Sequence, residues 1–225
     1  MKRALRIAAA AVVLLAFLFV ARLYLSIRFG RQPTVDPTLV ARSVHQQPAL
    51  LAEAKALPVA RTFPRSIHFQ QNGTYCGPAS LVNVLASLGS PVADESAALE
   101  GSRLCLTGIC VGGLTLDDLA QAVRARGRTA TVLRDLTPEQ LQEHLRRSND
   151  PARRYIVNFA RAPIFSFGGG HHSPVGGYLE DRDLVYVLDV HESFQPWLVE
   201  RAKLFAAIDT VDSSSGKKRG LLLIE

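Results

Sequence analysis

A change of hydrophobic period at about residue 150 constrains this chain more than any other feature of its sequence. Upstream, apolar residues recur at helical spacing. Cys76–Leu88 gathers Leu81, Val82, Val84, Leu85 and Leu88 on one face and closes at Gly89. Leu116–Arg126 predicts a second helix, with Thr115 as its cap, Asp118 completing a capping box and Gly127 as its stop. Thr137, Pro138 and Gln140 mark the start of a third, and a shorter helix is expected over Ala49–Ala56. Downstream, Tyr155–Ala160, Leu184–Val190 and Leu221–Ile224 are rich in branched and aromatic residues and read as strands. Helices first and strands later predict an α+β fold, a helical part packed on an antiparallel sheet.

The net charge of +6 belongs to one end of the chain. Lys2, Arg3, Arg6, Arg22, Arg28 and Arg31 lie in the first 31 residues, which hold no acid; the rest carries 20 bases against 20 acids. A neutral body gives no basic face for nucleic acid, so none is expected as a partner. Ile7–Ala21 is unbroken apolar sequence, continued by Leu23, Tyr24 and Leu25 past Arg22. About twenty such residues span a bilayer core. Residues 1–28 therefore read as a signal anchor rather than a cleaved signal peptide, because no small-residue cleavage site follows. The basic start predicts a cytoplasmic N-terminus, an inner-membrane location and an exported body. Residues 29–50, with Pro33, Pro37 and Pro48, read as a linker, and 51–225 as the main domain.

Three cysteines remain. Cys105 and Cys110 flank a turn-like stretch and are candidates for a small disulfide loop in an oxidising compartment. Cys76 is then the odd thiol. It opens a predicted helix, where unpaired N–H groups and the helix dipole favour a thiolate. Gln70, six residues upstream, offers a side-chain amide to an oxyanion, together with the Cys76 N–H. A base must come from elsewhere in the chain. Gly168-Gly169-Gly170-His171-His172-Ser173-Pro174 supplies two histidines, with His172 as the rival of His171. Asp189 sits inside an apolar strand, which is costly without a partner. A histidine on a neighbouring strand would justify it and would be held in the right tautomer. No second Cys or His pair stands at zinc-ligand spacing, and no cofactor is called for.

These segments resemble those of the phytochelatin synthase family over roughly residues 60–225. The likeness is carried by Gln70 through Tyr75-Cys76-Gly77-x-Ala79-Ser80-Leu81, by Gly113–Leu119, by Gly170-His171-x-Ser173-Pro174, by Leu188-Asp189-Val190 and by Ile208–Gly220. It implies a papain-like cysteine protease fold. The catalytic set it implies is Cys76, His171 as base, Asp189 and Gln70; Arg219, Gly170 and Ser173 would contact substrate. The substrate implied is glutathione or a related γ-glutamyl peptide, cleaved at Cys–Gly through a thioester on Cys76. Without a Cys-rich C-terminal extension, metal-dependent chain growth is less expected than hydrolysis. One residue departs from the pattern: Glu192 stands where the family has arginine. A C39-like peptidase, which shares Cys-Gly-Pro-Ala, and a non-catalytic binding protein are the alternatives.

Overall fold

The computed structural model describes residues 2–29, 32, 34–102, 110 and 113–225; in the first helix the side chains at 2, 4, 5, 7–9 and 27–29 lie outside the described set. The helices are α1 (Lys2–Phe29), α2 (Pro37–Ser43), α3 (Pro48–Lys55), α4 (Cys76–Ser87), α5 (Glu95–Ala98), α6 (Leu116–Ala125), α7 (Pro138–Arg147), α8 (Ala162–Phe165) and α9 (Arg201–Ile208). The strands are β1 (Ala130–Leu133), β2 (Arg154–Ala160), β3 (Gly170–Leu179), β4 (Leu184–Val187), β5 (Trp197–Glu200) and β6 (Gly220–Ile224). All the strand pairings are antiparallel, in the order β1-β6-β2-β3-β4-β5. The α+β expectation holds. Both expected capping boxes are present, Thr115 with Asp118 and Thr137 with Gln140.

Alternation along the strands gives the sheet two differently covered faces. Ile156, Leu222 and Ile224 point to the side where Leu81, Val84, Leu119 and Val123 of α4 and α6 pack. Tyr155, Val157, Phe159, Val175 and Leu221 point to the other side, against Leu141 and Leu145 of α7 and Leu204 and Ala207 of α9. Each fully buried leucine in these layers contributes about 1.5–3 kcal/mol. On the first face α4 lies across β3, and this crossing brings Cys76 to the histidine strand.

Two expectations are corrected. Residues 29–50 are not simply a linker: Val40 of α2 and Val44 just beyond it enter the core, and His45 bridges to Leu198. Pro37 and Pro48, read as part of that linker, occupy the first turns of α2 and α3, where no N–H is needed. The strand expected over Leu184–Val190 stops at Val187, and its register against β3 shifts at a bulge between Val175 and Gly177. Beyond it, Leu188 N–H donates to Pro174 C=O and Val190 C=O accepts from Gln70 N–H. A membrane-spanning helix over 1–28 finds no support: among the described residues no helix is long and apolar enough to cross a membrane. The side chains of α1 are described without a break only over 10–26, short of the roughly twenty that a bilayer core requires.

Candidate active site

Cys76 is the first residue of α4, and Tyr75 before it makes no side-chain cap. The N–H groups of that first turn are therefore left free of a capping side chain. The thiol is free and buried, packed with Ala79, Val190 and Ile67. Ser80 Oγ donates to the Cys76 carbonyl at 2.7 Å and ties the turn down. Cys110 is disulfide-bonded; Cys105, the other half of the expected bridge, lies outside the described residues.

The imidazole that meets the sulfur is His172, with Nδ1 3.7 Å from Cys76 Sγ. Its Nε2 lies 2.6 Å from Asn158 Nδ2, and Asn158 Oδ1 accepts from Arg219 Nη1 at 2.9 Å. Asn158 sits opposite His172 on β2 and opposite Gly220 on β6, so the sheet itself places this chain of groups side by side. Arginine has only donors, so Asn158 must turn its oxygen to Arg219. Its amide N–H₂ then faces His172 Nε2, which must accept. A neutral His172 therefore carries its proton on Nδ1, the nitrogen facing the sulfur.

His171 is wired in the opposite sense. Neighbours on a strand point to opposite faces, and His171 turns toward the α7–α9 side, edge-on to Phe159 at 5.5 Å. Its Nε2 donates to Asp189 Oδ1 at 3.0 Å. A carboxylate accepts only, so the proton is on Nε2 and Nδ1 keeps its lone pair. Asp189, wholly buried, also takes both Arg161 Nη1 and Nη2 (3.0 and 2.9 Å), Trp197 Nε1 (2.9 Å) and the His191 N–H (2.9 Å). Arg161 in turn lies 3.6 Å over the Phe194 ring. The partner that Asp189 demanded is thus a histidine and an arginine together.

The remaining expected residues divide. Gln70 is buried next to the site; its Nε2 donates to Asn72 C=O at 2.8 Å, which leaves its second N–H. Gly170 stands at the exposed start of β3, and Arg219 is buried beside it. Ser173, expected as a substrate contact, is fully buried, and its Oγ has no hydrogen-bond partner among the described residues. Glu192 is exposed and makes no ion pair among the described residues. Asn158, Arg161 and Trp197 were not singled out by sequence. The one signal was the strand acid itself, which needed more countercharge than a neutral ring supplies.

Burial dominates the electrostatics. It pushes the Cys76 thiol up, opposed by the His172 and Gly77 N–H groups and by Arg161. The thiolate expected from the helix terminus alone is therefore not the resting state. Burial lowers His171 to about 4, helped by Arg161 and opposed by Asp189. Burial lowers His172 to about 3, helped by the charges of His171 and Arg219. Burial would raise Asp189, but Arg161 and His171 outweigh it and hold the carboxyl far below its ordinary range. Both rings are therefore neutral near pH 7.

A free thiol opening a helix, beside a histidine strand with a buried Asp–His pair, defines the class: an α+β protein with a candidate cysteine site on an antiparallel sheet. The chain belongs to the phytochelatin synthase family, whose model matches residues 31–221. It is 30% identical over 167 residues to glutathione gamma-glutamylcysteinyltransferase 3 of Lotus japonicus, covering 69% of this chain and 35% of the relative. It is 26% identical over 169 residues to the glutathione gamma-glutamylcysteinyltransferase of Schizosaccharomyces pombe, covering 69% and 41%. The chain thus spans well under half the length of these relatives. Solved structures similar to it include the peptidase domain of Streptococcus ComA, an ABC transporter of a quorum-sensing pathway (17% identity, 69% of this chain, 93% of that one, TM-score 0.48). A C39-like peptidase from Bacillus anthracis is similar at 15% identity, over 70% of this chain and 93% of the other, with TM-score 0.48.

Proposed function

We propose that this chain transfers the γ-glutamylcysteinyl group of glutathione, or of a related γ-glutamyl peptide, through a thioester on Cys76. The observation that carries the reading is the free thiol at the α4 N-terminus, set beside the histidine strand in a chain of this family. Cys76 Sγ attacks the carbonyl of the Cys–Gly bond. His171 is the base, because Asp189 leaves its Nδ1 free to accept a proton. The structure holds His172 rather than His171 against the sulfur, so the assignment of the base to His171 rests on the family pattern and on its pairing with Asp189. The proton passes to the leaving glycine amine, and water or an acceptor amine takes the acyl group. Cys76 N–H and the spare Gln70 N–H stabilise the oxyanion. Arg219 offers a guanidinium to a substrate carboxylate.

Incubation of the chain with glutathione, followed by mass spectrometry, tests this. Glycine and γ-Glu-Cys should appear, and Cys76→Ala should abolish both without loss of fold. Normal release by a folded Cys76→Ala protein sinks the reading. The papain-like likeness allows one alternative, a C39-like peptidase; a cut protein substrate with no glycine from glutathione would favour it.

The role of residues 1–28 belongs to the same proposal: an inner-membrane anchor holding the catalytic domain on the exported side. It is supported by the Ile7–Ala21 run, by Lys2, Arg3 and Arg6 before it, and by apolar side chains exposed along α1, such as Val13 and Phe19 at 68% and 69%. A disulfide at Cys110 fits an oxidising compartment. Carbonate extraction of cell membranes that releases the chain would overturn it.

A further inference from the structure

We infer that His172 is a second catalytic histidine, a hydrogen-bond donor to the Cys76 sulfur, held in that state by Arg219 acting through Asn158. The inference rests on Cys76 as the nucleophile but not on which peptide it attacks. The family pattern quoted above leaves position 172 open, so nothing in that pattern assigns this histidine a role.

The chain of groups runs Arg219 Nη1 to Asn158 Oδ1 (2.9 Å), Asn158 Nδ2 to His172 Nε2 (2.6 Å) and His172 Nδ1 to Cys76 Sγ (3.7 Å). Its polarity is fixed at one end, because a guanidinium cannot accept. Every link therefore donates toward the sulfur, and His172 presents N–H rather than a lone pair. A ring in that state cannot take the thiol proton at Nδ1. It can stabilise the anion left when another base takes it, through a charge-assisted bond in a buried site. The two histidines divide the work: His171 accepts a proton and His172 donates to the sulfur.

The thiol is subject to other charges. Arg161, beyond β2, favours the thiolate, and Asp189, beyond β4, disfavours it; the backbone N–H groups of His172 and Gly77 favour it. None of these is altered by a change of the His172 side chain alone, so its contribution can be read separately.

The test is the pH dependence of Cys76 alkylation by iodoacetamide, with the full chain. It needs no turnover, so it succeeds or fails independently of glutathione as substrate. His172→Phe keeps an aromatic ring without the donor, and His172→Gln restores an N–H. The expected result is that His172→Phe moves the thiolate titration up by at least about one pH unit, a tenfold loss of rate at pH 7. His172→Gln should recover most of it. An unchanged profile in His172→Phe, or equal damage by Phe and Gln, overturns the inference. Should the variants fail to fold, ¹⁵N spectra of the unmodified chain decide: a proton on His172 Nδ1 supports it, and a proton on Nε2 overturns it.

Discussion

Gly170 illustrates how closely single positions bound the site. A Cβ there would stand 2.5 Å from Arg219 Nη1. That obstacle is the end of a flexible side chain, so Gly170→Ala should fold while pushing Arg219 off Asn158. Losing one charge-assisted contact corresponds to a rise in KM for glutathione of about tenfold, with the melting temperature little changed; an unaltered KM would contradict Arg219 as a carboxylate contact. Asp189 behaves differently because it neutralises a neighbour. Asp189→Asn keeps shape but leaves Arg161 buried at 6% exposure without its countercharge. Breaking such a pair costs about 3–5 kcal/mol. Urea unfolding should show that loss, and a variant as stable as the parent would mean that Arg161 finds another anion.

At the level of elements, β6 joins the two halves of the sheet, pairing with β1 on one side and β2 on the other. Gly220 at its start has no room for a side chain: a Cβ would lie 2.0 Å from the Leu133 carbonyl oxygen, a backbone atom that cannot swing aside. Gly220→Ala is expected to cost at least about 2 kcal/mol by displacing β1 or releasing Arg219 from Asn158; calorimetry showing an unchanged melting point would refute this. How legible each element was follows from its chemistry. Helices α4, α6 and α7 could be read because their caps and apolar stripes are local. The Tyr155–Ala160 and Leu221–Ile224 runs showed β-branched and aromatic character. β3 did not, since Gly170, Pro174, Gly176 and Gly177 dilute its strand character. Its alternation, which sends His171 and His172 to different faces, was therefore invisible until the strand was seen. Cys76, His171 and Asp189 were legible from local context and family pattern; Asn158 and Arg161 were not, because their meaning depends on partners 14 and 28 residues away.

For the molecule as a whole, two buried neutral rings couple folding to pH. Both histidines fall below their ordinary value of 6.5, to about 4 for His171 and about 3 for His172. The unfolded chain therefore binds protons that the folded chain refuses. The stability that this contributes is full above about pH 6.5. It is lost as pH falls toward about 4 and then about 3, at up to about 1.4 kcal/mol per pH unit for each ring. Asp189, held below its ordinary range, adds to the loss under more acid conditions. Urea midpoints should fall steadily from pH 7 to pH 4.5 in the parent and less steeply in a His171→Asn, His172→Phe double variant; parallel curves would show that neither ring is buried neutral. The same doublet has a consequence for how the chemistry is encoded. Because both neighbours are histidine, β3 offers an identical ring to each face, and nothing in the rings says which is to give and which to receive. That instruction is written in the group behind each: a carboxylate at 189, an amide at 158.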